Sequence, residues 1–177
     1  MSDLEVGGVT RPAGGEVRVL APGEGESHWQ PVPANGHIEI LFAPGIVEME
    51  HPIGIGTQTV PPGSYVREHA HDRNEEVLYF LRGKGRAVVE GQEYPLTPGT
   101  AIFIGKNRRH MFINDGEEVM HWVWLLVPNG LEDFFREIGR TRQAGEPTPV
   151  QFPRPENVLE IERRTVFAAQ PADQRQP

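Results

Sequence analysis

Residues 63–83 read GSYVREHAHDRNEEVLYFLRG and contain two histidines, His69 and His71, in a strand-like stretch that begins and ends with glycine. Successive side chains of a β-strand point to opposite faces, so residues two apart share a face at a spacing of roughly 7 Å. Two imidazoles at that spacing can converge on one ion. The pair therefore predicts that part of a metal site lies on one face of a strand.

Two further side chains complete a candidate ligand set. A polar turn follows His71, and the next predicted strand begins at Glu76, so we expect a hairpin to fold this carboxylate back beside the histidines. His110 follows the apolar run 101–104 and a turn, which predicts that a neighbouring strand brings a fourth ligand from the other side. Three imidazoles and one carboxylate would leave two positions of an octahedron open for water, substrate or dioxygen.

A histidine pair alone has a simpler explanation, because such pairs are more often surface groups or hydrogen-bonded core groups than metal ligands. The glutamate and the third histidine change this interpretation. Ionisable groups that line the interior of a barrel without a partner would be expensive to bury. We therefore interpret four residues as the ligands of one metal ion: His69, His71, Glu76 and His110.

The spacing of these residues resembles the sequence signatures of the cupin superfamily. The first signature combines a glycine, an HxH pair, a glutamate and a second glycine, and it corresponds here to Gly63, His69, His71, Glu76 and Gly83. The match is complete, and it includes the candidate ligands His69, His71 and Glu76.

The second cupin signature is similar to residues 99–114, which contain His110. Cupins usually have Pro-x-Gly at the position where this chain has Gly105, Lys106 and Asn107. Because asparagine tolerates the left-handed backbone conformation almost as well as glycine does, we expect the turn to form at Asn107.

The resemblance implies an all-β fold, a double-stranded β-helix (jelly-roll) barrel with one or two short C-terminal helices. Within the superfamily, the chain resembles single-domain, metal-dependent cupins, in particular the quercetin-dioxygenase-like group. The implied cofactor is one divalent transition metal from among Fe, Mn, Ni, Co, Cu and Zn, bound by the four residues named above.

Composition agrees with a small β-barrel and argues against several partners. The 177 residues include 20 glycines and 17 prolines, which separate short apolar runs at intervals suited to strands and turns. The net charge of −8 opposes binding to nucleic acid or to an anionic membrane surface. The lack of cysteine excludes disulfides and thiolate ligands. No apolar run approaches the roughly 20 residues of a membrane helix, and no signal peptide is recognisable, so we expect a cytoplasmic protein.

The expected organisation along the chain has four parts. Residues 1–15 form a flexible N-terminus, and residues 16–140 form the cupin barrel with the helix that follows it. Residues 141–155 form a proline-rich linker, and residues 156–177 form a C-terminal helix and a disordered tail.

Strand parity extends the candidate site to neighbouring residues. If His69 and His71 point inward, Tyr65 and Arg67 should point inward as well. An inward Arg67 would anchor a substrate carboxylate or enolate, whereas a surface Arg67 would pair with an acid such as Asp72. Tyr65 would donate a proton or a hydrogen bond to a bound intermediate, although a packed tyrosine is the more common outcome.

The strand that begins at the glutamate carries an apolar outer face, formed by Val77, Tyr79 and Leu81. This face suits burial by outer strands, which we expect at residues 17–20 and 37–42, or by a second copy of the chain. A homodimer is also what the family resemblance implies.

Three functions remain open for this site. In the first, an enol, diketone or phenol binds the metal through oxygen, Glu76 or a water takes its proton, and dioxygen adds to the activated carbanion. The second function is that of a lyase, isomerase or decarboxylase, in which the same ion stabilises an enolate and no oxygen is consumed. The third is a ligand-binding cupin without turnover.

The apolar residues predicted around the site, Leu78, Phe80 and Phe112, favour a small organic substrate of the aromatic kind over a sugar. Resemblance to quercetinase-like cupins favours the dioxygenase among the three functions. The candidate catalytic residues are Glu76, Tyr65 and Arg67.

Overall fold

The computed structural model describes residues 14–169 and places them in eleven strands and two short helices. The strands are β1 (Glu26–Trp29), β2 (His37–Phe42), β3 (Gly54–Val60), β4 (Tyr65–His69), β5 (Glu75–Arg82), β6 (Gly85–Val89), β7 (Gln92–Leu96), β8 (Ala101–Ile104), β9 (His110–Ile113), β10 (Met120–Val127) and β11 (Arg140–Thr141). The helices are α1 (Leu131–Ile138) and α2 (Val158–Arg164). The predicted flexible N-terminus and the predicted disordered tail lie almost wholly outside the described residues.

The strands form two antiparallel sheets that enclose the core. The larger sheet has seven strands in the order β11-β1-β2-β3-β10-β5-β8, and the smaller has four in the order β4-β9-β6-β7. Neighbours in each sheet are often distant in the chain, as in the pairing of β3 with β10. This architecture confirms the predicted all-β jelly-roll fold with short C-terminal helices.

The segment between β4 and β5 does not form the hairpin predicted from the sequence. β4 pairs with β9 in the smaller sheet, whereas β5 lies between β10 and β8 in the larger one. The chain therefore crosses from one sheet to the other between His71 and Glu76. This crossing lets both strands direct one face at a common core, which a two-layer fold requires.

Burial in β5 alternates as the sequence predicts. Leu78 and Phe80 are buried, whereas Val77, Tyr79 and Leu81 on the opposite face are between 40% and 48% exposed. The alternation reflects the two-residue period of a strand with one face on the core. The core side of the barrel is therefore the side that carries the candidate ligands.

The prediction of an outer strand at residues 17–20 is wrong, because these residues are in no strand and both valines among them are exposed. The first strand among the described residues is β1 instead, and it pairs with β2 and β11. The second predicted outer strand, at residues 37–42, is confirmed as β2, but it lies within the larger sheet. Neither segment covers the exposed face of β5.

Three aromatic rings fill the barrel beneath the candidate ligands. Phe80, Phe112 and Trp122 are buried, and their ring centroids lie 5.5–6.1 Å apart. Full burial of one such side chain stabilises the fold by about 1.5–3 kcal/mol. Because the ring of His110 lies 5.6 Å from that of Phe112, this aromatic cluster packs directly against the candidate site.

Left-handed turn residues connect the strands where both signatures require them. Gly63 (φ +74°) precedes β4, and Gly83 (φ +76°) lies between β5 and β6. A side chain at Gly83 would also place its β-carbon 2.7 Å from the Met120 backbone, so glycine is required there for two reasons. Asn107 has φ 60°, which confirms that asparagine forms the turn in place of glycine.

The two helices follow the barrel and pack back on it. α1 buries a face that includes Phe134 and Phe135, and the segment that includes α2 buries Ile161, Val166 and Phe167 in the same hydrophobic core. Phe152, in the predicted linker, is also buried, and its carbonyl accepts a hydrogen bond from the Val32 amide at 3.0 Å. Neither described helix is long and apolar enough to cross a membrane.

Gly56 gives a direct test of the packing between β3 and β10. An added β-carbon would lie 2.2 Å from the Glu39 carbonyl oxygen and 2.5 Å from the Trp124 ring. We expect Gly56→Ala to lower the free energy of unfolding by about 1–3 kcal/mol or more, because backbone and a buried indole must move. The matched control, Gly45→Ala, has no atom within 4 Å of its added β-carbon and should change stability by less than about 0.5 kcal/mol. Urea denaturation followed by tryptophan fluorescence measures both, and equal stabilities would contradict this packing.

Candidate metal centre

Both sheets contribute side chains to one buried cluster. His69 and His110 face each other as register partners on β4 and β9, and His71 lies two residues beyond the end of β4. Glu76 enters from β5 in the opposite sheet. The expectation that His110 would come from the other side is therefore wrong, since it neighbours His69 and the glutamate crosses the barrel instead. All four residues are between 0% and 9% exposed, and one potential ligand atom of each lies within 4.8 Å of the others.

Backbone carbonyls fix the orientation of the three imidazoles. Nδ1 donates a hydrogen bond to the Arg67 carbonyl oxygen in His69 (2.7 Å), to the Val166 carbonyl oxygen in His71 (3.0 Å) and to the Arg108 carbonyl oxygen in His110 (2.8 Å). A carbonyl oxygen only accepts, so Nδ1 carries the proton in each ring. In the neutral imidazole, Nε2 is then left with a lone pair, which is the arrangement of a metal-ligating histidine.

The inward-facing atoms have no hydrogen-bond partner among the described residues. These atoms are Nε2 of His71, Nε2 of His110 and Oε2 of Glu76, and all are buried. Oε2 lies 3.1 Å from Nε2 of His110 and 3.7 Å from Nε2 of His71. Lone pairs that converge in this way repel one another unless a cation lies between them, so the cluster fits a metal ion.

Burial and mutual repulsion also set the protonation states. Burial, followed by the neighbouring His110 and His71, holds the pKa of His69 well below its ordinary value. Burial alone raises the pKa of Glu76, whereas a proton or positive charge on His110 or His71 beside the carboxylate lowers it, and the net direction is downward. A neutral imidazole and an ionised carboxylate are the forms that bind a metal ion.

A pocket opens from this cluster, and aromatic rings form much of its wall. His69, Glu76 and Phe112 line it from the barrel, α1 contributes Phe134 and Phe135, and the C-terminal segment contributes Phe167. Such an apolar wall with a few polar groups is typical of a small-molecule site. Leu78 and Phe80, predicted to face the site, pack in the core instead, whereas Phe112 does line the pocket as predicted.

The C-terminal segment contacts the candidate ligands His69 and His71 directly, which the sequence analysis did not anticipate. The ring of Phe167 lies 5.2 Å from the rings of both His69 and His71. The backbone of residue 167 forms a bridge with His71, and the Ala168 amide donates to the Ala70 carbonyl oxygen at 2.8 Å. The only local signal for this contact was an aromatic residue after the second helix.

Tyr65 and Arg67 line the same pocket, but so does Val66 between them, because a register shift between Val66 and His69 interrupts the strand parity used in the prediction. Arg67 does not pair with Asp72, which is instead bound by Arg73 at 3.2 Å. The guanidinium of Arg67 donates to the carboxylate of Glu162, a residue of α2 that the sequence analysis did not single out. Burial is the main cause that lowers the pKa of Arg67, and the positive charge of neighbouring Arg154 is the second.

Comparison with known proteins places the cluster within a described family. Residues 56–126 match the cupin domain model, and this range contains all four candidate ligands. The chain is 31% identical to quercetin 2,3-dioxygenase of Bacillus subtilis (strain 168) over 98 residues, which are 53% of this chain and 29% of that protein. It is also 31% identical to polyketide synthase CurC of Streptomyces cyaneus over 74 residues, 42% of this chain and 48% of that protein.

The chain thus spans about half the length or less of these curated relatives. Among solved structures, the polyketide cyclase RemF of Streptomyces resistomycificus superposes with a TM-score of 0.56 at 17% identity. That superposition covers 64% of this chain and 81% of the other, and at this identity it shows a shared fold alone. The family model, the curated relatives and the jelly-roll architecture agree that residues 56–126 of this chain are a cupin domain.

Proposed function

We propose that the protein binds one divalent transition metal through three imidazoles and one carboxylate. The proposed ligand atoms are Nε2 of His69, His71 and His110 and a carboxylate oxygen of Glu76. The observation that carries this proposal is the convergence of buried, unpaired Nε2 and carboxylate atoms while Nδ1 of each histidine is already bound. The donor set accepts Fe, Mn, Ni, Co, Cu or Zn, so cellular supply contributes to the choice.

We further propose that the bound metal serves a dioxygenase that acts on an enolisable or aromatic organic compound. A divalent ion held by these four residues would supply a Lewis acid for a substrate oxygen. The aromatic wall of the pocket excludes water and packs against the apolar body of the substrate. The sequence match to a quercetin 2,3-dioxygenase supports this class.

Three residues of the pocket have proposed catalytic roles. The carboxylate of Glu76 lines the pocket and would accept the proton of a substrate enol or phenol. Arg67 would bind a negatively charged oxygen of the substrate through its guanidinium. Tyr65 lines the pocket and its hydroxyl would donate a hydrogen bond to a substrate oxygen.

Non-redox chemistry is the second candidate, and one observation favours it. The match to polyketide synthase CurC is as close in identity as the match to the dioxygenase. A lyase, isomerase or decarboxylase would use the same proton acceptor and the same anion-binding arginine, but would consume no oxygen. A ligand-binding protein without turnover is the third candidate.

Removing one ligand should remove the metal. We expect His110→Ala, and the nearly isosteric Glu76→Gln, to lower the metal content of the purified protein at least about tenfold, because each loses one of four ligands. His51→Ala is the matched control, since His51 is exposed and lies outside the cluster. Elemental analysis measures the content, and far-UV circular dichroism verifies the fold. Full metal content in both ligand variants would contradict the proposed site.

Oxygen consumption separates the candidate functions. With a panel of enolisable aromatic and dicarbonyl compounds, we expect the metal-loaded protein to consume oxygen in proportion to substrate loss, and the chelator-treated protein to consume none. An oxygen electrode combined with product analysis makes the measurement. Turnover that continues unchanged without oxygen would identify the non-redox class, and tight binding without turnover would identify the third.

We also propose a homodimer that buries the exposed face of β5. Val77 and Phe103 are register partners on β5 and β8, and with Tyr79 and Leu81 they form an exposed apolar strip beside the edge of the larger sheet. Among the described residues nothing covers this strip. We expect Tyr79→Lys to shift the protein from dimer to monomer in light scattering, and a monomeric unaltered protein would contradict the proposal.

The cytoplasmic location stays a prediction.

A further inference from the structure

Two arginines in the wall of the pocket share one carboxylate. Nη2 of Arg67 and Nη2 of Arg154 both donate to Oε1 of Glu162. The side chain of Glu162 is 6% exposed, whereas those of Arg67 and Arg154 are 28% and 18% exposed. No other acid of the described residues pairs with either guanidinium. The three side chains therefore carry one uncompensated positive charge in a mostly buried place.

The two guanidiniums retain most of their hydrogen-bonding capacity. An arginine has five N–H donors, and each of these two uses one atom, Nη2, on Glu162. Both side chains line the pocket that also contains His69 and Glu76. Free donors and an excess positive charge at the wall of an apolar pocket are the chemistry that binds a carboxylate in a fork-like geometry.

Two arginines are also more than the attachment of α2 to the barrel requires. One arginine would neutralise Glu162 and fix the helix to the barrel, whereas a second cation adds repulsion in a place of low dielectric. Arg154 and Glu162 lie outside residues 56–126, which match the cupin domain. The second guanidinium is therefore an addition from this chain's own C-terminal segment, and a ligand anion would offset its charge.

We propose that Arg67 and Arg154 form an anion subsite for the carboxylate of an aromatic organic acid. Glu162 holds the two guanidiniums together, and the aromatic rings of the pocket contact the apolar body of the ligand. The reactive part of the acid would then face His69 and Glu76. This inference rests on the proposed function, since it names the substrate class of the same pocket.

Binding of a simple aromatic acid tests the subsite independently of turnover. The probes are benzoate and its neutral analogue benzamide, titrated calorimetrically into the metal-loaded protein. We expect benzoate to bind at least about tenfold more tightly than benzamide, and Arg154→Gln or Arg67→Gln to weaken benzoate binding about tenfold or more. Benzamide affinity should change less than about twofold in either variant, since it carries no charge.

Arg163→Gln is the matched control. Arg163 lies on α2 and is exposed, and within residues 14–169 it bonds only the Leu159 carbonyl oxygen, at 3.0 Å, so its loss should leave benzoate affinity unchanged. Equal affinity for benzoate and benzamide, or benzoate binding that survives both pocket variants, would overturn the subsite. Metal content is measured on the same samples. A protein that binds metal but shows no arginine-dependent benzoate binding refutes the subsite alone, and arginine-dependent binding by a protein that takes up no metal refutes the proposed function alone.

Discussion

Three hydrogen bonds from histidine Nδ1 to backbone carbonyls hold the candidate metal centre in place. They fix each ring and its proton, so that Nε2 faces the barrel interior beside the carboxylate of Glu76. Each buried polar atom left unpaired costs about 1–3 kcal/mol, and three such atoms meet here. The fold tolerates this arrangement because a bound cation would satisfy all of them at once. The polar interior is thus an argument for metal binding that stands apart from sequence similarity.

The segment after the barrel is part of the site. The Val166 carbonyl orients His71, Phe167 packs on the imidazoles, and Glu162 holds Arg67 in the pocket wall. The C-terminal segment therefore contributes an orienting group, a hydrophobic cover and a charge. These contributions come from residues outside the matched cupin range, which ends at residue 126.

Local patterns predicted the parts of the site that local geometry controls. The two-residue period of strands grouped the ligands, and the backbone preference of asparagine predicted the turn at Asn107. The sequence analysis did not predict that the chain crosses between sheets from β4 to β5. A polar turn has the same sequence pattern whether it joins two strands of the same sheet or two strands of different sheets. The contact between Glu162 and Arg67 joins residues 95 positions apart, and no local period encodes it. Strand parity alone does not determine which face of a strand such as β10 is internal; the structure buries Trp122 and leaves His121 partly exposed.

Anomalous scattering from a crystal of the metal-loaded protein tests the central claim most directly. Data collected above and below the absorption edge of the bound metal should show one peak per chain. We predict that it lies about 2.0–2.2 Å from Nε2 of His69, His71 and His110 and from a carboxylate oxygen of Glu76. A peak bound to fewer than three of these residues, or located outside the barrel, would contradict the account.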